Sequence, residues 1–246
     1  MNLFFDIHVH TEEYSMDSQL PLRKLLAEAT EMKLSGICIT DHDTQALYPK
    51  AEALSKESGM LVIVGLEYSC HEGHLLVFGA PNLKRSYLPL GDVLNEVKAQ
   101  GGISIAAHPF RWDSPNMGSA MQKHISLLDG VEAFNGGATA EENLLAYDFA
   151  IENGLPVLGG SDAHHAARIG RFITDFNIPL KNEKDFIRAI IKSKTNKKGL
   201  ESISVAALKG SSFVPAYSYE KKLHERSSPP RVRSIKDILN APRNKF

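Results

Sequence analysis

The sequence predicts an α/β fold in which successive strand–helix units close into a barrel. Three observations predict it. Short apolar runs alternate with helical periodicity along most of the 246 residues. Neither GxGxxG nor GxxxxGK(S/T) follows any of the apolar runs, so the glycine-rich signatures that favour an open, doubly wound sheet are missing. Lastly, His, Asp or Glu stands just beyond five separate apolar runs, which is where a parallel barrel builds its active face.

The elements follow in order. Leu3 to His8 reads as a strand, Leu22 to Met32 as a helix, Gly36 to Thr40 as a strand and Gln45 to Ser58 as a helix. Leu61 to Gly65 and Leu75 to Gly79 are strand-sized apolar runs, followed by a helix from Leu90 to Ala99 and a strand from Ile103 to Ala107. Gly130 to Ala133 is a strand, Ala140 to Glu152 a helix, Pro156 to Gly159 and Arg171 to Asp175 strands, and Glu183 to Lys192 a helix. The composition changes near residue 210. Lys209 to Phe246 holds nine Lys or Arg and three Asp or Glu, a net of +6 that leaves −7 on residues 1–208 of a chain whose formal charge is −1. The division expected is therefore a barrel over 1–208 and a basic extension over 209–246. Within that extension Ser227 to Ser234 reads as a linker. It fits either a packing extension or an electrostatic contact for nucleic acid.

Ten His accompany only two Cys, so any metal site is expected to use nitrogen and oxygen donors. No run approaches the roughly 18 apolar residues of a membrane span, and the N-terminal residues do not read as a signal peptide, so the expected address is cytoplasmic. Cys38 and Cys70 carry no disulfide pattern.

The strand ends carry the chemistry. In an extended strand His8 and His10 share a face, with Ile7 and Val9 on the other, so the pair can bite one cation. Thr40-Asp41-His42-Asp43 ends the second unit, although the two Asp there would also serve as caps of the next helix. Glu67 ends the third, and His74 precedes Leu75. His108 follows Ala107, and Asp162 and His164 follow Gly160. Several cations held close together need carboxylates to screen their repulsion and neutral imidazoles to complete their shells, and Glu67 and Asp162 suit bridging. His71, His124, His165 and His224 read as solvated or packed.

This set, with His8-Val9-His10, Thr40-Asp41-His42-Asp43, Glu67, Gly73-His74, Ala107-His108-Pro109 and Ser161-Asp162-Ala163-His164 in that order, resembles the polymerase and histidinol phosphatase (PHP) family of metal-dependent phosphoesterases. The resemblance covers residues 1 to about 200. It implies a distorted (β/α)7 TIM-like barrel and a trinuclear site of two to three divalent ions (Mn, Fe or Zn). His8, His10, Glu67 and Asp162 would hold the first ion; Glu67, His74 and His108 the second; Asp17, His42 and His164 the third. At Asp17 the chain reads Ser15-Met16-Asp17-Ser18 where many members read Ser-Asp-Gly, which leaves Glu12 and Glu13 as alternatives. His42, Asp162 and His164 are the candidate catalytic residues, with a metal-bound hydroxide as nucleophile. Arg111, Arg168 and Arg171 are candidates for holding substrate phosphate.

The implied substrate is a phosphomonoester or phosphodiester: a phosphorylated small molecule, a nucleotide or an oligonucleotide end. Nucleic acid through the basic extension is a further candidate partner. The competing readings are a histidinol-phosphatase-like enzyme, an amidohydrolase-type hydrolase and a non-catalytic PHP module. Amidohydrolases usually need a bridging lysine, which none of the strand ends supplies.

Overall fold

The computed structural model describes residues 3–83, 87–114, 117–195 and 203–227. In chain order these form β1 (Leu3–Val9), α1 (Leu22–Glu31), β2 (Gly36–Ile39), α2 (Ala51–Ser58), β3 (Leu61–Val64), β4 (Leu66–Cys70), β5 (Gly73–Phe78), α3 (Leu90–Ala99), β6 (Ile103–Ala107) and α4 (Met117–Lys123). There follow β7 (Gly130–Asn135), α5 (Ala140–Glu152), β8 (Val157–Gly160), β9 (Phe172–Phe176), α6 (Glu183–Thr195), β10 (Ile203–Lys209), β11 (Ser212–Pro215) and α7 (Ala216–Ser227). Tyr48–Lys50 and Ala166–Arg168 are single 3-10 turns.

The fold is mixed α/β, but its strands hydrogen-bond in two sheets rather than in one closed ring. One sheet has the order β11-β10-β9-β1-β2-β3, the other β4-β5-β6-β7-β8. The expected all-parallel pattern is also corrected. β1–β2, β2–β3, β6–β7 and β7–β8 pair in parallel, whereas β4–β5, β5–β6, β1–β9, β9–β10 and β10–β11 pair antiparallel. For β4–β5 and β10–β11 the reason is connection length. A parallel crossover needs a dozen residues or more, and β4 and β5 are joined by His71 and Glu72 alone, which permits only a hairpin. The sheets meet through two short parallel bridges, Val9 with Ala163 and His42 with Glu67.

Between the sheets lies an apolar cluster drawn from both, including Phe5, Ile7, Cys38, Ile63, Leu76, Ile105, Leu158, Phe176 and Phe186. α6 closes it with Phe186, whose ring lies 5.0 Å from that of Phe78 and 5.6 Å from that of Phe176. A second cluster packs α3, α4 and α5 on the outer side of the β4–β8 sheet, and a third packs α1 and α2 against β2 and β3. α5 begins with a capping box in which Thr139 and Glu142 satisfy each other's backbone N–H.

The residue 208/209 division falls inside the β10–β11 hairpin, where Leu208 pairs with Phe213 and β10 also pairs with β9. α7 then packs on α5, with the Tyr147 and Tyr217 rings 4.6 Å apart and Asn143 Nδ2 donating to buried Glu220 at 3.4 Å. The first 19 residues of the basic segment are thus packed structure; Ser228 to Phe246 lie outside the described residues.

Candidate metal centre

The centre forms at the seam of the two sheets. β1 is buried on both faces. Ile7 and Val9 enter apolar clusters, and the alternate residues His8 and His10 turn to the polar interior. His8 Nε2 lies 3.0 Å from His10 Nε2, 3.0 Å from Glu67 Oε2 and 3.4 Å from Asp162 Oδ1. His10 Nε2 lies 3.1 Å from Glu67 Oε2 and 3.2 Å from Asp162 Oδ1. All four residues are buried.

The other oxygen of Glu67 serves a second group. Its Oε1 is 2.9 Å from His74 Nδ1 and 2.8 Å from His108 Nε2. A third group contains His10, His42 and His164. Asp17 Oδ2 reaches its two outer members, 3.1 Å from His42 Nε2 and 3.2 Å from His164 Nε2. Of the alternatives to Asp17, Glu13 is engaged elsewhere, accepting from the Leu22 backbone at the start of α1. All nine sequence-predicted ligands therefore converge on one region, and the donor set fits divalent cations. In each group the donor atoms crowd within 4.8 Å of one another, imidazole nitrogens with carboxylate oxygens in two groups and imidazole nitrogens alone in the third, an arrangement that a shared cation satisfies.

Charge follows this crowding. Burial would push the His8 imidazole down, but Glu132, Asp162 and Glu67 hold its pKa well above the ordinary value. His10 is likewise opposed by burial and is pushed up to about 9 by Asp162 and Glu67. The same pairs hold Glu67 and Asp162 well below the carboxylate range despite burial. His42 moves the other way, lowered chiefly by burial.

Backbone strain marks the same places. Asp43, His108 and Asp162 occupy the left-handed region with φ of 53°, 30° and 52°. Such conformations cost of order 1–3 kcal/mol in a non-glycine residue and persist where surrounding contacts enforce them. Here they turn the chain sharply at strand ends and aim His108 and Asp162 inward.

The sequence reading missed the residues that brace the centre. Glu132, fully buried on β7, accepts from His8 Nδ1 at 2.9 Å, from the His108 backbone N–H at 3.1 Å and from Asn135 Nδ2 at 3.0 Å. Asp41 is not among the clustered ligands; it accepts from Thr11 N at 2.6 Å, Thr11 Oγ at 2.8 Å and Ser15 Oγ at 2.9 Å, tying the chain after β1 to the end of β2. Asp6, whose carboxyl burial pushes up to about 6, accepts from the Ser161 and Gly170 backbone at 2.9 and 2.8 Å. Gly160 permits the close approach of β8, since a Cβ there would lie 2.6 Å from His8 Cβ. The signal for Glu132 and Asp6 was a lone carboxylate inside an apolar strand, between Val131 and Ala133 and between Phe5 and Ile7.

A cavity of about 470 Å³ opens over the three groups. Arg111 lines it and is half-fixed by carboxylates: Nη1 lies 2.6 Å from Asp162 Oδ2, and Nε donates to Asp113 at 2.9 Å. Arg168 also lines it, held by a 3.0 Å bond from Nη1 to the Gly136 carbonyl. Arg171 is not brought there; it is exposed at the foot of β9, with Glu220 in its field. His165, read as solvated or packed, is exposed and lines the cavity.

Comparison with known proteins places these features in context. Residues 140–195 match the family described as PHP-associated. The chain is 30% identical over 141 residues to an uncharacterized protein of Methanocaldococcus jannaschii, covering 53% of this chain and 80% of that one. It is 36% identical over 62 residues to the PolC-type DNA polymerase III of Bacillus cereus, which is 25% of this chain and 4% of the polymerase. A Bifidobacterium adolescentis structure named for metal-dependent phosphoesterase chemistry superposes with a TM-score of 0.60 at 20% identity, covering 79% of this chain and 98% of that one.

Proposed function

Because the chain belongs to the polymerase and histidinol phosphatase (PHP) family, we propose that it is a metal-dependent phosphoesterase. It hydrolyses a phosphomonoester or phosphodiester of a nucleotide, an oligonucleotide end or a small phosphorylated metabolite. The observation that carries this reading is Glu67, which spreads one carboxylate over two histidine pairs, Oε2 toward His8 and His10 and Oε1 toward His74 and His108. The two sheets are read as the halves of a distorted (β/α)7 barrel. Three cation positions follow from the three clustered groups, with Asp17 completing the third, and two to three Mn, Fe or Zn ions fill them. When bound, such ions supply the Lewis acidity that activates water near neutral pH and screens phosphoryl oxygens.

The protein's own groups do the remainder. Arg111 and Arg168 bind substrate phosphate from the cavity wall, and Asp113 keeps the Arg111 fork oriented. Asp162 holds Arg111 on one oxygen and faces His8 and His10 with the other, so it ties the phosphate side of the cavity to the metal side. His164, whose Nδ1 lies 3.0 Å from the Asp162 carbonyl, has its Nε2 beside Asp17, where the two would hold the third ion together. An amidohydrolase-type site usually needs a bridging lysine, and among the described residues no lysine lines the cavity.

The test is metal analysis followed by turnover. Protein repleted with Mn²⁺ is expected to carry two to three ions per chain and to release phosphate or nucleotide from a panel of phosphomonoesters, nucleotides and short oligonucleotides. Asp162→Ala is expected to lower that turnover by at least about 100-fold with the fold intact. Less than one metal per chain, or full activity in Asp162→Ala, would overturn the assignment.

A further inference from the structure

Eight large apolar side chains are exposed among the described residues, and the two most exposed flank the cavity in sequence. Met16, wholly exposed, precedes Asp17; Trp112, 82% exposed, stands between Arg111 and Asp113, all three neighbours being cavity residues. Trp112 is the only tryptophan in the chain. Single exposed apolar residues need no explanation, but a tryptophan normally repays its size by burying most of it, and this one does not.

The segment that carries Trp112 is rigidly placed. It leaves the metal centre at His108, turns through hydrogen bonds from Arg111 N to the His108 carbonyl at 3.0 Å and from Ser114 N to the Arg111 carbonyl at 2.9 Å, and is pinned to α5 by Trp112 N donating to Glu142 Oε1 at 3.0 Å. Arg111 on one side of it is locked between Asp113 and Asp162. An indole is thus offered to solvent one residue from a guanidinium that faces the phosphate side of the cavity. The pairing of an anion-binding end with a bare aromatic face matches a ligand that has a phosphate at one end and a flat π-system at the other.

Resting on the phosphoesterase reading and narrowing its substrate, we infer that Trp112 is a stacking platform for a nucleobase and that the substrate is a nucleotide unit, either free or at the end of a strand. Stacking of a base on an exposed aromatic is sequence-tolerant and contributes 1–3 kcal/mol per base, which corresponds to about 5- to 150-fold in affinity. Trp112 is then a specificity residue, remote from the reacting atoms.

Because the chain has one tryptophan, its fluorescence reports this residue alone. Full-length, Mn²⁺-loaded protein is titrated with adenosine 5′-monophosphate, with ribose 5-phosphate and with a short 5′-phosphorylated oligonucleotide. Quenching by a base-bearing probe and not by ribose 5-phosphate is expected. Quenching by the oligonucleotide alone would assign the platform to a strand end, and quenching by the mononucleotide as well would assign it to free nucleotides. In Trp112→Ala the preference for whichever base-bearing probe quenches over ribose 5-phosphate, as a ratio of kcat/KM, is expected to fall about 5- to 150-fold, with Trp112→Phe restoring most of it. Quenching by no base-bearing probe, or an unchanged preference, would overturn the inference while leaving phosphoester hydrolysis standing. Absence of turnover on every probe would instead strike the phosphoesterase reading, and the titration would still decide whether a base stacks on Trp112.

Discussion

Replacing Glu132 by Gln changes one buried atom and tests whether the bracing carboxylate sets the chemistry of His8. As a carboxylate Glu132 only accepts, and it accepts three times: from His8 Nδ1, from the His108 backbone N–H and from Asn135 Nδ2. A glutamine amide must present its NH2 to one side. Facing His8, it meets Nδ1 donor to donor unless the imidazole shifts its proton to Nε2, the nitrogen aimed at Glu67 and Asp162. Facing His108, it meets two donors that then lose their acceptor. Either way one buried group is left unpaired, at about 1–3 kcal/mol. Partners behind a metal-binding histidine contribute about 10–100-fold in metal affinity, or about 1.4–2.8 kcal/mol. The assay is isothermal titration of chelator-stripped protein with Zn²⁺ or Mn²⁺, beside a melting curve that shows Glu132→Gln is folded. A metal affinity within twofold of the parent, in a variant that melts with it, would refute the argument that this carboxylate fixes the His8 proton on Nδ1.

Chelation should lower the melting temperature, because two of the three clustered groups draw ligands from both sheets. With ions bound at 100 times their dissociation constant the loss is about 2.7 kcal/mol, or roughly 5–11 °C for a domain of this size, and an unchanged melt would count against a structural contribution of the ions. Thr139→Ala removes the cap of α5 and should cost about 1 kcal/mol, a fall of about 2–4 °C, read by circular dichroism. Burial pushes the Glu183 carboxyl up, although it accepts from Gly79 N and Tyr48 OH. Its folded pKa therefore exceeds the unfolded one, so its contribution is fully present below the unfolded pKa and is lost as pH rises through the folded value. Urea denaturation of Glu183→Gln across that window should show a flatter pH dependence than the parent, and parallel curves would reject the assignment.

What the sequence disclosed and what it concealed divide along one physical line. Residues whose position follows from local period were legible: His8 and His10 on one face of β1, His42 after β2, His108 after β6 and Asp162 after β8 all follow apolar runs of unmistakable length. β4 was missed although Leu66, Tyr68 and Cys70 alternate with Glu67 and Ser69, because it is only five residues long and follows β3 after Gly65 alone, so Leu66 and Glu67 read as the end of the preceding strand. α7 was hidden by charge, since the basic composition of its segment signalled solvent, yet it rests on α5; β10, largely apolar up to Lys209, was passed over and is zipped to β9, with β11 beside it. Glu132 was passed over for the opposite reason, since an apolar strand seemed to account for itself. Arg171 shows the limit of proximity in sequence. It stands three residues after Arg168, but the 3-10 turn at Ala166–Arg168 and the start of β9 carry it out of the cavity.

The split into two sheets gives the centre a place that a closed ring would not. Strand pairing across the seam is reduced to the bridges Val9–Ala163 and His42–Glu67, and each bridge involves or directly precedes a clustered side chain: His42 and Glu67 themselves, His10 after Val9, His164 after Ala163. The seam has therefore exchanged backbone pairing for side-chain convergence. β1 brings His8 and His10 from the centre of one sheet, and β4 and the end of β8 bring Glu67 and Asp162 from the other. Asp6 and Asp41 hold the loops that emerge there by accepting from their backbones, which fixes the ligands' approach without joining the clusters. Two rigid sheets supply precision, and a sparse ladder between them leaves room for a cavity of about 470 Å³. The left-handed turns at His108 and Asp162 follow from the same geometry, because strands that stop at a seam must turn at once to keep their last side chains inside it.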